Sequence, residues 1–211
     1  MLAKLGRFPH RALTGGVVMV FAFAAPIHAT QVRPMNLEQI TDRAATIFAG
    51  VCTNVRVERD PDAGWVRVAT FDVARSAKGR VGRTATIRFP GGQRDLEPRS
   101  TEIVGMPGFR RGDEVVLFLY GTSAIGLTSP VGLGQGQFDV VRDKQGNKLA
   151  INAFGNERLL DGVTGSTLGR FSAAASSSHG ATGIGVDALL DAVKALAKQG
   201  SGAMRDKGVR R

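Results

Sequence analysis

Short stretches in which apolar and polar residues alternate follow one another between residues 47 and 153. A period of two indicates β-strands with one buried face. Turns rich in glycine, proline or aspartate separate the stretches, and no strand–helix alternation is present, which favours an all-β fold. The seven predicted strands cover residues 47–57, 65–73, 84–89, 115–120, 125–127, 138–141 and 149–153.

In the second stretch, the apolar residues change partway from even-numbered to odd-numbered positions. Its apolar residues begin at Val66 and Val68 and continue at Ala69, Phe71 and Val73. Such a switch predicts a β-bulge or strong coiling, as a small barrel requires. We therefore predict a small, coiled antiparallel barrel over residues 30–156. Its most buried strand is predicted at residues 115–120, which are apolar without interruption.

Two helices are predicted outside the barrel strands. Asn36 is typical of a helix N-cap and Gln39 occupies the capping-box position, so a short helix is predicted over residues 37–44. Apolar residues at helical spacing predict a C-terminal amphipathic helix over residues 186–199 that packs on the barrel. Residues 157–185, which include a Ser/Ala/Gly-rich stretch, are predicted as a flexible linker, and 200–211 as a basic disordered tail.

The N-terminus has the layout of a secretory signal peptide over residues 1–29. Lys4, Arg7 and Arg11 precede an apolar run over 12–25, which is shorter than the ~20 residues of a membrane span. Cleavage is predicted after Ala29 or Ala24, and an uncleaved anchor helix is the alternative. Cleavage at Ala29 would reduce the net charge from +10 to +7. The protein is therefore expected to be periplasmic or secreted, with no transmembrane segment after cleavage.

The chain has too few cysteine and histidine residues for several kinds of catalytic and metal site. Cys52 is the only cysteine, and His10 and His28 lie in the leader, which leaves His179. Internal disulfides and cysteine zinc sites are excluded, and no catalytic, cofactor-binding or metal-binding residue is predicted. The spacing Gly132-x-Gly134-x-Gly136 precedes a strand pattern, so it indicates a turn rather than a nucleotide loop.

Acidic residues leave one enzymatic alternative open. Paired carboxylates serve in acid/base hydrolysis, and the spacing of the acidic residues does not exclude such a pair. The acidic residues available for it are Asp72, Asp95, Glu97, Glu102, Asp113, Glu114 and Asp139.

The basic excess points to a ligand surface on the long loop over residues 92–112. Long loops on small scaffolds often carry function. The residues predicted for this surface are Arg94, Arg99, Phe109, Arg110 and Arg111. An anionic envelope polymer or another protein is the expected partner. Nucleic acid is not expected, because the chain is predicted to be exported and aromatic residues make up only 6% of it.

Several segments resemble a group of exported bacterial proteins of unknown function. They are LEQITDRA (37–44), ATIFAGVCTNVRVE (45–58), VRVATFDVARSAKG (66–79), GMPGFRRGDEVVLFLY (105–120) and GQGQFDVVRD (134–143). The first two strands are distantly similar to those of netrin-like modules and tissue inhibitors of metalloproteinases, which implies an OB-type barrel. That family acts through a mature N-terminal cysteine, whereas Cys52 lies inside a predicted strand, so the resemblance transfers no functional residue.

Together these observations predict an exported, non-catalytic binding or interaction module of the cell envelope. The alternatives are a carboxylate-dependent hydrolase and a module that contacts proteins, as a protease inhibitor does.

Overall fold

The computed structural model describes residues 33–91, 103, 105–106, 108–163, 175–178 and 181–208. The predicted signal peptide lies outside the described residues. The helices are α1 (Leu37–Arg43) and α2 (Val186–Gly208), and a 3₁₀ turn covers Leu133–Gln135. The strands are β1 (Thr46–Asp60), β2 (Gly64–Lys78), β3 (Thr84–Pro90), β4 (Glu114–Leu119), β5 (Gln137–Arg142), β6 (Lys148–Asn152), β7 (Ala175–Ser178) and β8 (Ala181–Gly185).

Within the described residues, the eight strands form one antiparallel sheet with the order β3-β2-β1-β4-β5-β6-β8-β7. The fold is therefore mostly β with two helices, as the alternation predicts. Strands β3 and β7 are the two edges of the sheet. No helix of the described part is long and apolar enough to cross a bilayer.

The β1–β2 hairpin is long and irregular. Its register shifts between Ile47 and Phe48, between Ala49 and Gly50, and between Cys52 and Asn54. The hairpin is therefore irregular, but the shifts do not lie at the predicted parity switch, since Val66–Thr70 pair without interruption with Glu58–Asn54. Gly50 is required at one shift, because a Cβ atom there would lie 2.6 Å from the carbonyl oxygen of Asp72. Extra residues of this kind increase the local coiling of the sheet.

Strand β4 is buried on both faces and separates two hydrophobic cores, as expected for the most buried strand. Val116 and Phe118 face a helix-side core, whose other members from the sheet are Ile47, Ala49, Phe138, Ala150 and Ile184. The opposite face carries a phenylalanine core, which comprises Phe48, Cys52, Ala69, Phe71, Ala85, Phe89, Phe109, Val115, Leu117 and Leu119.

Both helices cover the helix-side core. The predicted capping box of α1 is present, since Asn36 Oδ1 accepts from Gln39 N and Gln39 Oε1 accepts from Asn36 N. Helix α2 contacts α1, β2, β6 and β8. Four of its apolar residues, Leu189, Leu190, Val193 and Leu196, are buried, which confirms that it packs on the sheet.

The structure corrects four expectations about the second half of the chain. The stretch 175–185 supplies β7 and β8 rather than a flexible linker, and α2 continues to Gly208 through most of the predicted disordered tail. Residues 125–127 form a turn, in which Gly126 N donates to Ser123 O and Ser123 N donates to Leu127 O. In β6 both Leu149 and Ala150 are buried, so the predicted alternation from Leu149 does not hold.

Candidate functional site

A tight turn over Arg110–Asp113 leads into β4 and stands at the centre of the predicted ligand surface. Asp113 Oδ2 accepts from Arg110 N at 2.6 Å, and Asp113 N donates to Arg110 O at 3.1 Å. Gly112 N donates to Cys52 O and Cys52 N donates to Asp113 O, so the turn is also bonded to β1. Gly112 has φ +95°, a conformation that favours glycine. The backbone of this turn is therefore fixed.

Phe109 anchors the turn from inside. Its side chain is 6% exposed, and its ring lies 5.3 Å from that of Phe71 and 5.0 Å from that of Phe89, between centroids. The structure thus assigns this predicted surface residue to the phenylalanine core. Its burial fixes the backbone next to Arg110 and Arg111.

Arg110 and Arg111 are exposed, and neither side chain has an ion-pair partner within the described part of the chain. Other basic residues of the described chain do have ion-pair partners. Arg75 pairs with Asp187 and Asp191 of α2. The remaining predicted site residues, Arg94 and Arg99, lie outside the described residues.

Two further basic residues, Arg88 and Lys78, bind groups of the fold. Arg88 pairs with Asp60 at 2.5 Å. Lys78 Nζ donates at 2.7 Å to the carbonyl oxygen of Thr41, near the C-terminal end of α1, where a helix favours positive charge. The basic excess is therefore partly structural, and Arg110 and Arg111 are among the charges left for a partner.

A cavity of about 680 Å³ lies beside the turn, and we call it the turn cavity. The turn, the first residue of β4 and part of β5 form its walls. Its lining comprises Gly108, Phe109, Arg110, Gly112, Asp113, Glu114, Gln137, Asp139 and Val140. Most of this lining is polar, in contrast to the phenylalanine core on the inner side of Phe109.

Three carboxylates line the turn cavity, and each already has a partner. Asp113 accepts from Arg110 N, and Glu114 binds Lys148 closely and Arg142 at 3.9 Å. Asp139 Oδ1 accepts from Gln137 Nε2 at 3.1 Å. Among the described residues, no group of three or more His, Cys, Asp or Glu side chains could hold a metal ion.

Gln137 is the cavity residue that the sequence analysis missed. It is 8% exposed, and its Oε1 is buried without a hydrogen-bond partner in the described structure. The available signal was the pairing of Gln137 with Asp139, two polar residues at strand spacing next to a buried Phe138. Alternation assigns both residues to the solvent-facing side of the strand, opposite Phe138.

A second cavity, of about 600 Å³, lies between the β5–β6 turn and the start of α2. Small and apolar residues, including Ala49, Ala74 and Leu190, line part of it. The Arg75–Asp187 and Lys148–Glu114 ion pairs stand at its border, and Glu114 lines both cavities. The charged groups of this second cavity therefore satisfy one another.

Cys52 and the glycine-rich stretch take structural positions. Cys52 lies in β1, as predicted; it is fully buried, and burial raises the pKa of its thiol. Gly132–Gly136 contains the 3₁₀ turn and leads directly into β5, which confirms a turn. The buried Gln135 there binds the N-terminal segment, since its Oε1 accepts from Met35 N at 2.7 Å.

No protein-family model matches the chain, and no curated protein sequence matches it. The function is therefore argued from the site alone.

Proposed function

We propose that the protein is an exported, non-catalytic binding module of the cell envelope, periplasmic or secreted, that binds anionic groups through Arg110 and Arg111. The observation that carries the proposal is the pair of exposed arginines on a turn fixed by four hydrogen bonds. A guanidinium binds carboxylate or phosphate oxygens with two parallel hydrogen bonds. A preformed turn lowers the entropy that binding would otherwise cost.

The scaffold that we propose for this site is a coiled, OB-like barrel formed by β1–β4 around the phenylalanine core. The segment after β4 supports it, because it lies between β3 and the end of β4. Thr128 N donates to Arg88 O at 2.9 Å, and Tyr120 N donates to Ser129 O at 3.0 Å. An isolated bridge joins Leu119 and Pro130. The resemblance to netrin-like modules also favours this barrel.

A carboxylate-dependent hydrolase is the less favoured function. Three carboxylates share the turn cavity, as such an enzyme needs. Each of them is bonded to another group of the fold, and Glu114 in particular binds two cations. A general acid or base has to be available to the substrate, so these partners favour binding without catalysis.

The test replaces Arg110 and Arg111 together by Ser and measures retention on vesicles that contain phosphatidylglycerol. The matched control is Arg80→Ser with Arg83→Ser, which removes the same charge from the exposed β2–β3 turn. We expect the Arg110/Arg111 variant to bind about 10-fold or more weakly, because it loses bonds to charged groups. We expect a smaller effect from the control.

Two outcomes would contradict the proposal. Equal losses in both variants would mean that net charge alone drives retention. Unchanged retention of the Arg110/Arg111 variant would exclude these residues from binding.

A further inference from the structure

The side chain of Met35 belongs to the helix-side core and yet contacts an exposed cation. Met35 is 7% exposed, and its Sδ accepts a hydrogen bond from Arg43 Nη1 at 2.9 Å. Arg43 lies exposed at the end of α1 and forms no ion pair within the described residues. The sulfur atom of Met35 therefore lies at the border of the core, beside a guanidinium on the protein surface.

The backbone and the terminal methyl group of Met35 are both held in place. Gln135 Oε1 accepts from Met35 N at 2.7 Å, and Gln135 Nε2 donates to Arg33 O at 3.2 Å. The Cε methyl group packs against Gly132, where a Cβ atom would overlap it. Because both ends of the side chain are fixed, Sδ keeps one lone pair toward Arg43. The other lone pair lies on the opposite side of the Cγ–Sδ–Cε plane.

A small cavity of about 260 Å³ lies beside this residue. Met35 contributes to its wall, and the other lining residues are Arg33, Pro34, Asn36, Gln39, Arg158 and Asp161. A water molecule needs only ~30 Å³, so the cavity has room for hydrogen peroxide, which has two oxygen atoms. A small oxidant can therefore approach Met35 from solvent.

We propose that Met35 is a site of reversible oxidation by hydrogen peroxide, and that Arg43 binds the oxygen atom that is added. The sulfur gives an electron pair to one peroxide oxygen, so an S–O bond forms while the O–O bond breaks. The proton of the transferred oxygen moves to the departing hydroxide, and the products are methionine sulfoxide and water. A thioether is a weak acceptor, whereas the sulfoxide is polar, so the bond from Arg43 becomes stronger. This site is independent of the anion-binding turn.

The fixed geometry also predicts the configuration of the product. Oxidation makes the sulfur a chiral centre, and each of the two sulfoxide epimers is reduced by its own class of reductase. A methionine that rotates freely offers both lone pairs and gives both epimers. At Met35, reaction on the side of Arg43 alone should give a single epimer.

The first test treats the purified, folded protein with hydrogen peroxide and isolates the peptide that contains Met35. Portions of this peptide are incubated with one or the other stereospecific reductase, and the remaining sulfoxide is measured by mass spectrometry. We expect the two epimers in a ratio of about 10 to 1 or higher. The control is the same protein oxidised in urea, which should give the two epimers in similar amounts.

The second test measures the part played by Arg43 through thermal melts before and after oxidation. Oxidation should lower the melting temperature of Arg43→Leu by about 5 °C more than that of the wild type, because the sulfoxide oxygen loses a charged donor. Arg33→Leu removes the same charge from the wall of the cavity and should behave as the wild type does. Met35→Leu measures the contribution of the other methionines.

Three results would overturn the inference. If Met35 stays unmodified in the folded protein while the partly buried Met106 is oxidised, peroxide does not reach the sulfur. Similar amounts of both epimers from the folded protein would show that the side chain is not fixed. An equal loss of melting temperature in Arg43→Leu and the wild type would show that Arg43 does not bind the oxygen. A single epimer together with the larger loss in Arg43→Leu would support the site.

Discussion

The two hydrophobic cores lie on opposite faces of one sheet but are closed by different means. Two helices cover the helix-side core, and most of its members are aliphatic. The phenylalanine core is closed in part by the loop before β4, which inserts Phe109 between Phe71 and Phe89. Helices satisfy their own backbone hydrogen bonds, whereas this loop depends on a few bonds to β1 and on one aromatic side chain.

Arginine side chains are used differently on the two sides of the sheet. On the helix side, Arg75 is used to hold the start of α2 through Asp187 and Asp191. On the other side, burial of Phe109 fixes the loop from below, so Arg110 and Arg111 need no structural partner. The candidate site therefore lies on a loop that is held by one buried aromatic side chain and not by a helix or strand of its own.

The largest expected effect comes from Phe109→Ala. Loss of a buried phenylalanine should lower the free energy of unfolding by about 3–5 kcal/mol, measured by urea denaturation. Because Cys52 belongs to the same core, it should also react faster with a thiol reagent in the native state. Its buried, protonated thiol should react very slowly in the wild-type protein.

Phe138→Ala is the matched control for this prediction. Phe138 is fully buried in the helix-side core, and its ring lies 5.3 Å from that of Phe118. We expect a similar loss of stability but little change in Cys52 reactivity. If both variants expose Cys52 equally, the two cores open as one unit and the comparison between them fails.

Leu190→Ala tests the helix-covered side with a somewhat smaller change. Leu190 is 1% exposed in the helix-side core, so its truncation should cost about 2–4 kcal/mol. We expect the native variant to bind phosphatidylglycerol vesicles as the wild-type protein does, because α2 does not carry Arg110 or Arg111. Weaker binding at a temperature where the variant remains folded would show that the two sides are coupled.

Much of the sheet was predictable from local pattern. The capping box at Asn36 and Gln39 fixes α1, whereas the parity switch after Val68 predicts an irregularity in the right hairpin but at the wrong residues. Strands β7 and β8 were not predictable, because their Ser, Ala and Gly residues show no apolar alternation. Ala150 and Ile184 are cross-strand partners in the β6–β8 pairing, so tertiary context overrides the local signal there.

The site was predictable only in part. Exposed Arg110 and Arg111 follow from the charged loop, but Phe109 resembled a surface aromatic because it is an isolated apolar residue among polar ones. Its burial depends on Phe71 and Phe89, which are distant in sequence. Gln137 was missed for a similar reason, since local alternation places it on the solvent-facing side of β5, whereas it is 8% exposed.

Arg75→Ala tests the ion pairs that join β2 to α2. The side chain of Arg75 is 32% exposed and those of Asp187 and Asp191 are more exposed, so solvent weakens both pairs. We expect a loss of about 1 kcal/mol or less in the free energy of unfolding, reduced further at high salt. A loss comparable to that of Leu190→Ala would mean that charge, and not the apolar face, attaches α2.

Asp60→Asn tests the corresponding ion pair beside the phenylalanine core and should have the smallest effect. The hydrogen bond from Arg88 lowers the pKa of Asp60, with further lowering by the backbone N–H groups of Ala63 and Asp62. A lowered pKa in the folded state stabilises the protein above the unfolded-state pKa, and this contribution disappears as the pH falls through the folded-state pKa. The variant should therefore melt slightly below the wild type at pH 7.

This difference should shrink progressively as the pH falls from the unfolded-state pKa of about 4 through the lower folded-state pKa of Asp60. Asp62→Asn removes the same charge from the same turn but keeps the bond between Asp60 and Arg88, so its effect should depend less on pH. Thermal melts across this range measure both. Arg88 is also held by its backbone, since Arg88 O accepts from Thr128 N. A loss of stability in Asp60→Asn that does not change with pH would therefore mean that the ion pair contributes little to holding β3. In that case the two faces of the sheet would differ in the contribution of their ion pairs as well as in the elements that cover their cores.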